Sequence, residues 1–175
     1  MRRLACLLYA AASLAVSAPA VAAPAPLSPA MQPLAFLVGR WTAKAGQAEN
    51  GTRAKGVFAI EPAAGGAALL RRDRTDLSTP DGKPSGSFEQ VMLIYPEGGA
   101  LHADYFDGTH AIHYVSAAVD PGRSVSFDTA PTPGPPRFRL TYRAVTPTLL
   151  AVRFEMAPPG GTDFHTVAEG QAVRD

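Results

Sequence analysis

The sequence predicts an all-β domain: a single closed antiparallel up-and-down barrel of about ten strands, with one short N-terminal helix or turn. Three observations carry that expectation. From Arg40 onward, short segments rich in Val, Ile, Phe, Tyr and Thr alternate with Gly, Pro and Asp clusters, the pattern of brief strands separated by turns. Three links repeat one design: Pro62 with Gly65-Gly66, Pro96 with Gly98-Gly99, and Pro159 with Gly160-Gly161, while Asp107-Gly108 is a hairpin turn signal. Links this short make neighbouring strands antiparallel, and a run of such strands loses its two unpaired edges only by closing on itself.

The elements follow in chain order. Arg2 and Arg3 precede an apolar and small run from Leu4 to Val16, and Ala20-Val21-Ala22 has the small-residue pattern of a signal-peptidase site. Residues 1–22 are therefore expected to be a signal peptide, placing the protein in the periplasm or outside the cell. The apolar run falls short of the ~20 residues that span a bilayer, so no transmembrane span is expected. A Pro- and Ala-rich leader, 23–33, is expected to be exposed, and the barrel domain occupies 34–175. Residues 31–38 form a short helix or turn with Leu34, Phe36 and Leu37 apolar. Strands are expected near 40–45, 52–61, 67–75, 87–95, 100–106, 109–119, 123–129, 137–145, 148–156 and 163–173.

Composition excludes several classes. The chain has 16 Lys and Arg against 15 Asp and Glu, and removing Arg2 and Arg3 leaves 14 bases. A mature protein near charge −1 lacks the clustered excess base that phosphate neutralisation requires, so no nucleic-acid partner is expected. Its one cysteine, Cys6, lies in the signal, leaving no disulfide, thiolate site or thiol nucleophile. Stability must come from an apolar core, which 153 residues can supply.

Two hairpins can be registered by hand. With Asp107 and Gly108 as a two-residue loop, Phe106 faces Thr109. One face then carries Leu101, Ala103, Tyr105, His110, Ile112 and Tyr114, and the other His102, Asp104, Phe106, Thr109, Ala111 and His113. The first is more apolar and is placed inside. In the later hairpin, a three-residue loop at Thr146-Pro147-Thr148 matches Phe138, Leu140, Tyr142 and Ala144 to Leu150, Val152, Phe154 and Met156. A two-residue loop would turn Arg153 and Glu155 inward, so the hydrophobic pattern selects the longer one, which also sets Arg139 opposite Glu155.

No nucleophile elbow, His-Glu-x-x-His, phosphate loop or dinucleotide fingerprint occurs. On the register above, His102 opposes His113 with Asp104 on the same face, a donor set suited to zinc, copper or iron, set against an ordinary solvated hairpin face. His110 and His113 point to opposite faces of a strand and share no ion. His110 beside Tyr105 and Tyr114 would give an apolar interior a few polar tips, as in a small-molecule pocket, or would be core residues with satisfied polar ends. Glu89, Asp104, Asp128, Glu155 and Glu169 fall on separate strands and define no acid/base pair. Arg71-Arg72-Asp73-Arg74 is split between two faces by alternation and reads as a charged strand end. The run Pro131 to Pro136 reads as a stiff loop at one mouth of the barrel.

Leu34-Ala35-Phe36-Leu37-Val38-Gly39-Arg40-Trp41, a short apolar turn leading into Gly-x-Trp, resembles the start of lipocalin-like (calycin) barrels, in particular exported bacterial domains of unknown function. Ala103-Asp104-Tyr105-Phe106-Asp107 and His113-Tyr114 are similar to the middle of those domains, and the strand layout extends the resemblance over 31–174. The resemblance implies a closed barrel with Trp41 plugging one end beside Gly39, and an arginine from the last strand, here Arg174, packed over that tryptophan. A related barrel family, the nitrobindins, binds haem through a histidine near the C-terminus, which invites comparison with His165. The residues after Trp41 and after His165 depart from that pattern.

The expected function is non-catalytic binding of a small, largely apolar ligand inside the barrel, with no cofactor. Tyr105, Ile112, Tyr114, Phe127, Phe138, Tyr142 and Phe154 are expected to line the cavity and His110 to orient the ligand's polar end. The alternatives are a metal- or haem-dependent enzyme using His102, Asp104 and His113 or His165, and a barrel filled by its own side chains that works as an interaction module.

Overall fold

The computed structural model describes residues 25–48, 51–131 and 134–175; the expected signal peptide lies outside them. Ten strands follow one another: β1 Gly39–Ala48, β2 Arg53–Ala63, β3 Ala68–Ser78, β4 Pro84–Glu97, β5 Ala100–Phe106, β6 Ala111–Asp120, β7 Ser124–Thr129, β8 Arg137–Thr146, β9 Leu149–Ala157 and β10 His165–Arg174. Each pairs antiparallel with its chain neighbours, and β1 pairs with β10 to close the barrel. The one substantial helical element among the described residues is a 3₁₀ turn, Gln32–Leu37. No helix among them is long and apolar enough to cross a membrane.

Alternation sets the wall. Leu140, Tyr142 and Leu150 are buried while Arg143 and Arg153 between them are exposed, so the barrel interior selects one parity on each strand. From Arg137 to Ala144 the β8–β9 register is the one the hydrophobic pattern selects, with Tyr142 opposite Val152 and Arg139 opposite Glu155. The loop, however, is two residues, Pro147-Thr148, and not three: Thr146 opposes Leu149, and a bulge at Val145 restores the parity. Arg139 nevertheless turns the other way and donates from Nε and Nη2 to the two carboxylate oxygens of Asp128 on β7, both at 2.7 Å. A parallel fork between guanidinium and carboxylate outcompetes a single exposed ion pair.

The β5–β6 register corrects an expectation. Phe106 opposes Ala111, Tyr105 opposes Ile112 and Asp104 opposes His113, so the hairpin is two residues longer than Asp107-Gly108 implies. The cause is Asp107, whose Oδ1 accepts hydrogen bonds from the backbone N–H groups of Thr109 at 3.0 Å and His110 at 2.7 Å. An aspartate that caps its own turn widens the loop. A slip of two leaves the faces intact, so Tyr105, Ile112 and Tyr114 still face inward, but His110 leaves the strand.

One end is sealed. Met31, Leu34, Leu37 and Trp41 from the 3₁₀ turn and β1 are fully or almost fully buried and pack on Ile60, Leu69 and Ile94. The leader also takes part, against expectation: Leu27 packs on this core and the Ser28 N–H donates to the Gly66 carbonyl at 2.9 Å. Gly66 sits at φ +87°, and a Cβ there would run into the carbonyl oxygen of Pro26. The links β2–β3, β4–β5, β6–β7 and β8–β9 lie at this end; β1, β3, β5, β7 and β9 end at the opposite, open rim, and the expected Pro131–Pro136 loop lies partly outside the described residues.

Among the described residues the widest break in the wall's pairing lies between β1 and β2. β1 and β2 pair from Gly39/Ile60 to Thr42/Val57 and again at Gln47/Arg53, so Ala43–Gly46 and Ala54–Gly56 are not paired with each other. Over the same stretch β1 stays on β10 with a bulge between Ala43 and Ala45. An extra residue in one strand bends it away from its partner.

Candidate functional site

A column of stacked groups runs from the sealed end to the middle of the barrel. The Arg174 guanidinium lies 4.3 Å above the Trp41 ring, and its Nη2 donates to the Phe36 carbonyl at 2.8 Å, with Nη1 on Val38 O. The Trp41 Nε1–H donates to Leu37 O at 2.9 Å, so the buried indole carries no unpaired donor. Trp41 stacks on Phe58 at 6.2 Å, and Phe58 carries the Arg71 guanidinium 4.9 Å from its centre. Gly39, at φ +144°, leaves the space that Arg174 occupies; a Cβ there would stand 2.7 Å from Nη1.

Arg71 and Asp73 are the polar centre. They alternate inward on β3 between Leu69 and Leu77, and their side chains are 11% and 3% exposed. Arg71 Nη2 donates to Asp73 Oδ2, which also accepts from Gln90 Nε2, and Arg71 Nη1 donates to the Tyr142 hydroxyl at 2.5 Å. That hydroxyl points on to Met92 Sδ at 3.6 Å. Arg71 Nε and Asp73 Oδ1 have no hydrogen-bond partner among the described residues. Burial by itself would favour a neutral Arg71, but Tyr142 and Asp73 outweigh it and hold the guanidinium charged. Burial pushes the Tyr142, Tyr114 and Tyr105 hydroxyls up, so all three stay neutral well beyond neutral pH. The run Arg71 to Arg74 is therefore not a charged strand end: it lies in mid-strand, and its inward half is an ion pair inside the barrel.

Beyond this pair the barrel is hollow. A cavity of about 300 Å³ extends from Phe58, Arg71 and Asp73 toward the open rim, walled by Thr75, Leu77, Phe88, Val152 and Phe154. What leaves it open is the size of the remaining lining: Ala43, Ala54, Gly56, Ala168, Gly170 and Ala172. Gly56 also lets β2 approach β3, since a Cβ there would stand 2.2 Å from Arg74 O.

Of the residues expected to line a pocket, Phe154 lines this one. Tyr142 reaches it through Arg71. Tyr114 and Phe127 are buried in the packed part of the interior, and Tyr105, Ile112 and Phe138 pack partly buried against that core. His110 is on the rim, its side chain 73% exposed and its Nδ1 3.1 Å from Asp107 Oδ2, a carboxylate that also accepts from Tyr105 OH at 3.2 Å. Burial would raise Asp107, but the N–H groups of His110 and Thr109 and their side chains pull its carboxyl far below the usual range.

The His102–His113 pairing behind the alternative metal set is not formed. His102 opposes Val115 and stacks on Tyr95 at 5.7 Å, while His113 Nδ1 lies 2.8 Å from Asp104 Oδ1, which shares that carboxylate with Tyr95 OH. Among the described residues no three His, Cys, Asp or Glu are grouped to hold a metal ion. His165 is exposed at the start of β10, opposite Met156.

No family model matches the sequence, and no curated protein is similar to it. Several solved structures align with this chain, among them these two. The S-type phycobiliprotein lyase CPES from Guillardia theta aligns with a TM-score of 0.53 at 12% identity, covering 80% of this chain and 89% of that one. A redesigned β-barrel, mFAP0, bound to DFHBI aligns with a TM-score of 0.44 at 14% identity, covering 79% of this chain and 99% of that one. The likeness to the lyase is one of fold.

Proposed function

We propose that this is an exported, non-catalytic barrel that binds one small, largely apolar molecule in the cavity beside Phe58, Phe88, Val152 and Phe154. The observation that supports it is the division of the interior into a packed half and a hollow half. The hollow half is walled by aromatic and aliphatic side chains, with one polar centre at its base. That is the composition of a ligand pocket, mostly apolar with a few placed polar groups. At ~30 Å³ per water it would otherwise hold on the order of ten waters against apolar walls. The Arg71–Asp73 pair, internally neutralised, would offer a ligand hydrogen bonds without a net charge.

A neutral, environment-sensitive naphthylamine dye gives the test. The expected result is saturable fluorescence enhancement at one site per chain. Ala54→Phe, which places a ring in the cavity from β2, is expected to reduce affinity at least tenfold while the circular dichroism spectrum is unchanged. Dye binding that ignores Ala54→Phe would place the site elsewhere and sink the reading.

A further inference from the structure

The cavity adjoins the break in the β1–β2 ladder. Ala43, Ala54, Lys55 and Gly56, all in the unpaired stretch between β1 and β2, line it. Small side chains on both sides of an unpaired ladder leave little to separate the interior from the outside. Lys44, Arg53, Lys55, Arg143 and Arg153 gather on the outer side of the same wall, with Ala43, Ala54 and Gly170 reached from both sides. Arg153 is engaged by Glu169 at 3.4 Å. Lys44, Arg53, Lys55 and Arg143 are exposed and have no acidic partner among the described residues. Lys44 is the bulged residue itself, between Ala43 and Ala45.

We propose that the β1–β2 seam is the ligand's doorway and that the ligand is a single-chain amphiphile with an anionic head, its apolar chain in the cavity and its head outside against Lys44, Arg53 and Lys55. This rests on the cavity-binding reading above. The opposite orientation is disfavoured by charge. At the base of the cavity both Nη groups of Arg71 are already engaged, and Asp73 would face an incoming anion in a desolvated setting. At the seam Lys44, Arg53 and Lys55 are exposed and have no acidic partner among the described residues, so a carboxylate keeps its hydration and gains attraction. Each CH₂ that enters the cavity strengthens binding about fourfold.

The probes are octanoate and 1-octanol, measured by calorimetry at low ionic strength on the mature chain, the Lys44→Glu/Arg53→Glu variant and Ala54→Phe. Octanoate is expected to bind about tenfold more tightly than the alcohol, and its advantage should shrink as salt is raised toward ~1 M. The double charge reversal should erase or invert the preference and leave octanol affinity unchanged, because Lys44 and Arg53 are exposed and neither lines the cavity. Octanoate binding no tighter than octanol, or an advantage that survives the reversal, overturns the doorway and head-group assignment and leaves cavity binding standing. Neither probe binding, or both binding Ala54→Phe as well as the parent, overturns the cavity reading together with it.

Discussion

The two sides of this barrel use the same strand geometry to opposite ends. On β5 to β8 the inward positions hold Tyr105, Ile112, Tyr114, Phe127, Leu140 and Tyr142, which interdigitate and fill the space. On β1, β2 and β10 the corresponding positions hold Ala43, Ala54, Gly56, Ala168, Gly170 and Ala172, and the space stays open. Ten strands enclose more volume than an eight-stranded barrel, so whether a sector is solid or hollow is decided by the volume of its inward side chains. Hydrophobicity alone does not distinguish the two sectors; size does.

The comparison can be broken from the solid side first. Trp41→Ala removes the ring that links Arg174 to Phe58, and is expected to lower stability by about 3–5 kcal/mol in urea denaturation. A loss below about 1 kcal/mol would mean that the sealed end relaxes around the cavity, and that its packing is not what holds the barrel. Next comes the boundary between the sectors. Asp73→Ala leaves the Arg71 charge buried without its carboxylate and is expected to cost about 3 kcal/mol, whereas Arg71→Met combined with Asp73→Ala should recover much of that. If the double variant is as unstable as the sum of the singles, the pair is not acting as one unit.

Alkaline titration sharpens the same contrast. Burial raises Tyr105, Tyr114 and Tyr142 in the folded state, so their stabilising effect is complete below the unfolded tyrosine value of ~10 and is lost as pH rises through the folded values. The tyrosinate absorbance of these three should therefore appear together with loss of tertiary structure above pH ~10, not before it. Asp107 has the opposite sign: its carboxyl is held low, so its contribution is present above ~4 and lost as pH falls. Asp107→Asn should flatten the acid limb of the stability profile. The smallest effect is expected on the outer face, where Arg139→Ala breaks the fork to Asp128 and uncovers Phe164, 4.1 Å from the guanidinium, for about 1 kcal/mol.

The strands were legible because each carries its own alternation, and most of the β8–β9 register because Arg153 and Glu155 must stay outside; the loop length was not, since a bulge at Val145 lets a two-residue loop keep the same parity. The β5–β6 register was misread because Asp107 reads equally well as a residue of a tight turn and as the cap of a wider one. A shift of two preserves side-chain parity, so the inward face survived while His110 and the His102–His113 pairing did not. The cavity was misplaced for a different reason. Searching for aromatic residues finds what fills space, and Tyr114 and Phe127 were found in that way. The absence of bulk at Ala54, Gly56 and Ala168 carries the signal, and it is visible only once strands are set side by side. Arg71 and Asp73 could have been found: two charges spaced by two, in phase with Leu69 and Leu77, belong to the inner face.

The Arg174 guanidinium and the Val38 carbonyl it grips are 136 residues apart. Almost every other strand contact is made with a chain neighbour, so nine hairpin steps can proceed locally while the tenth must wait for the two ends to meet. Loop closure over that distance is entropically expensive, and folding rates fall as such long-range pairings become necessary. Until it happens, β1 and β10 are two bare edges on a curled sheet, each able to pair with another copy of the chain. The ring closes with a clasp, and the clasp holds an arginine, so Arg174→Ala should slow the last step of refolding and lengthen the interval in which aggregation competes.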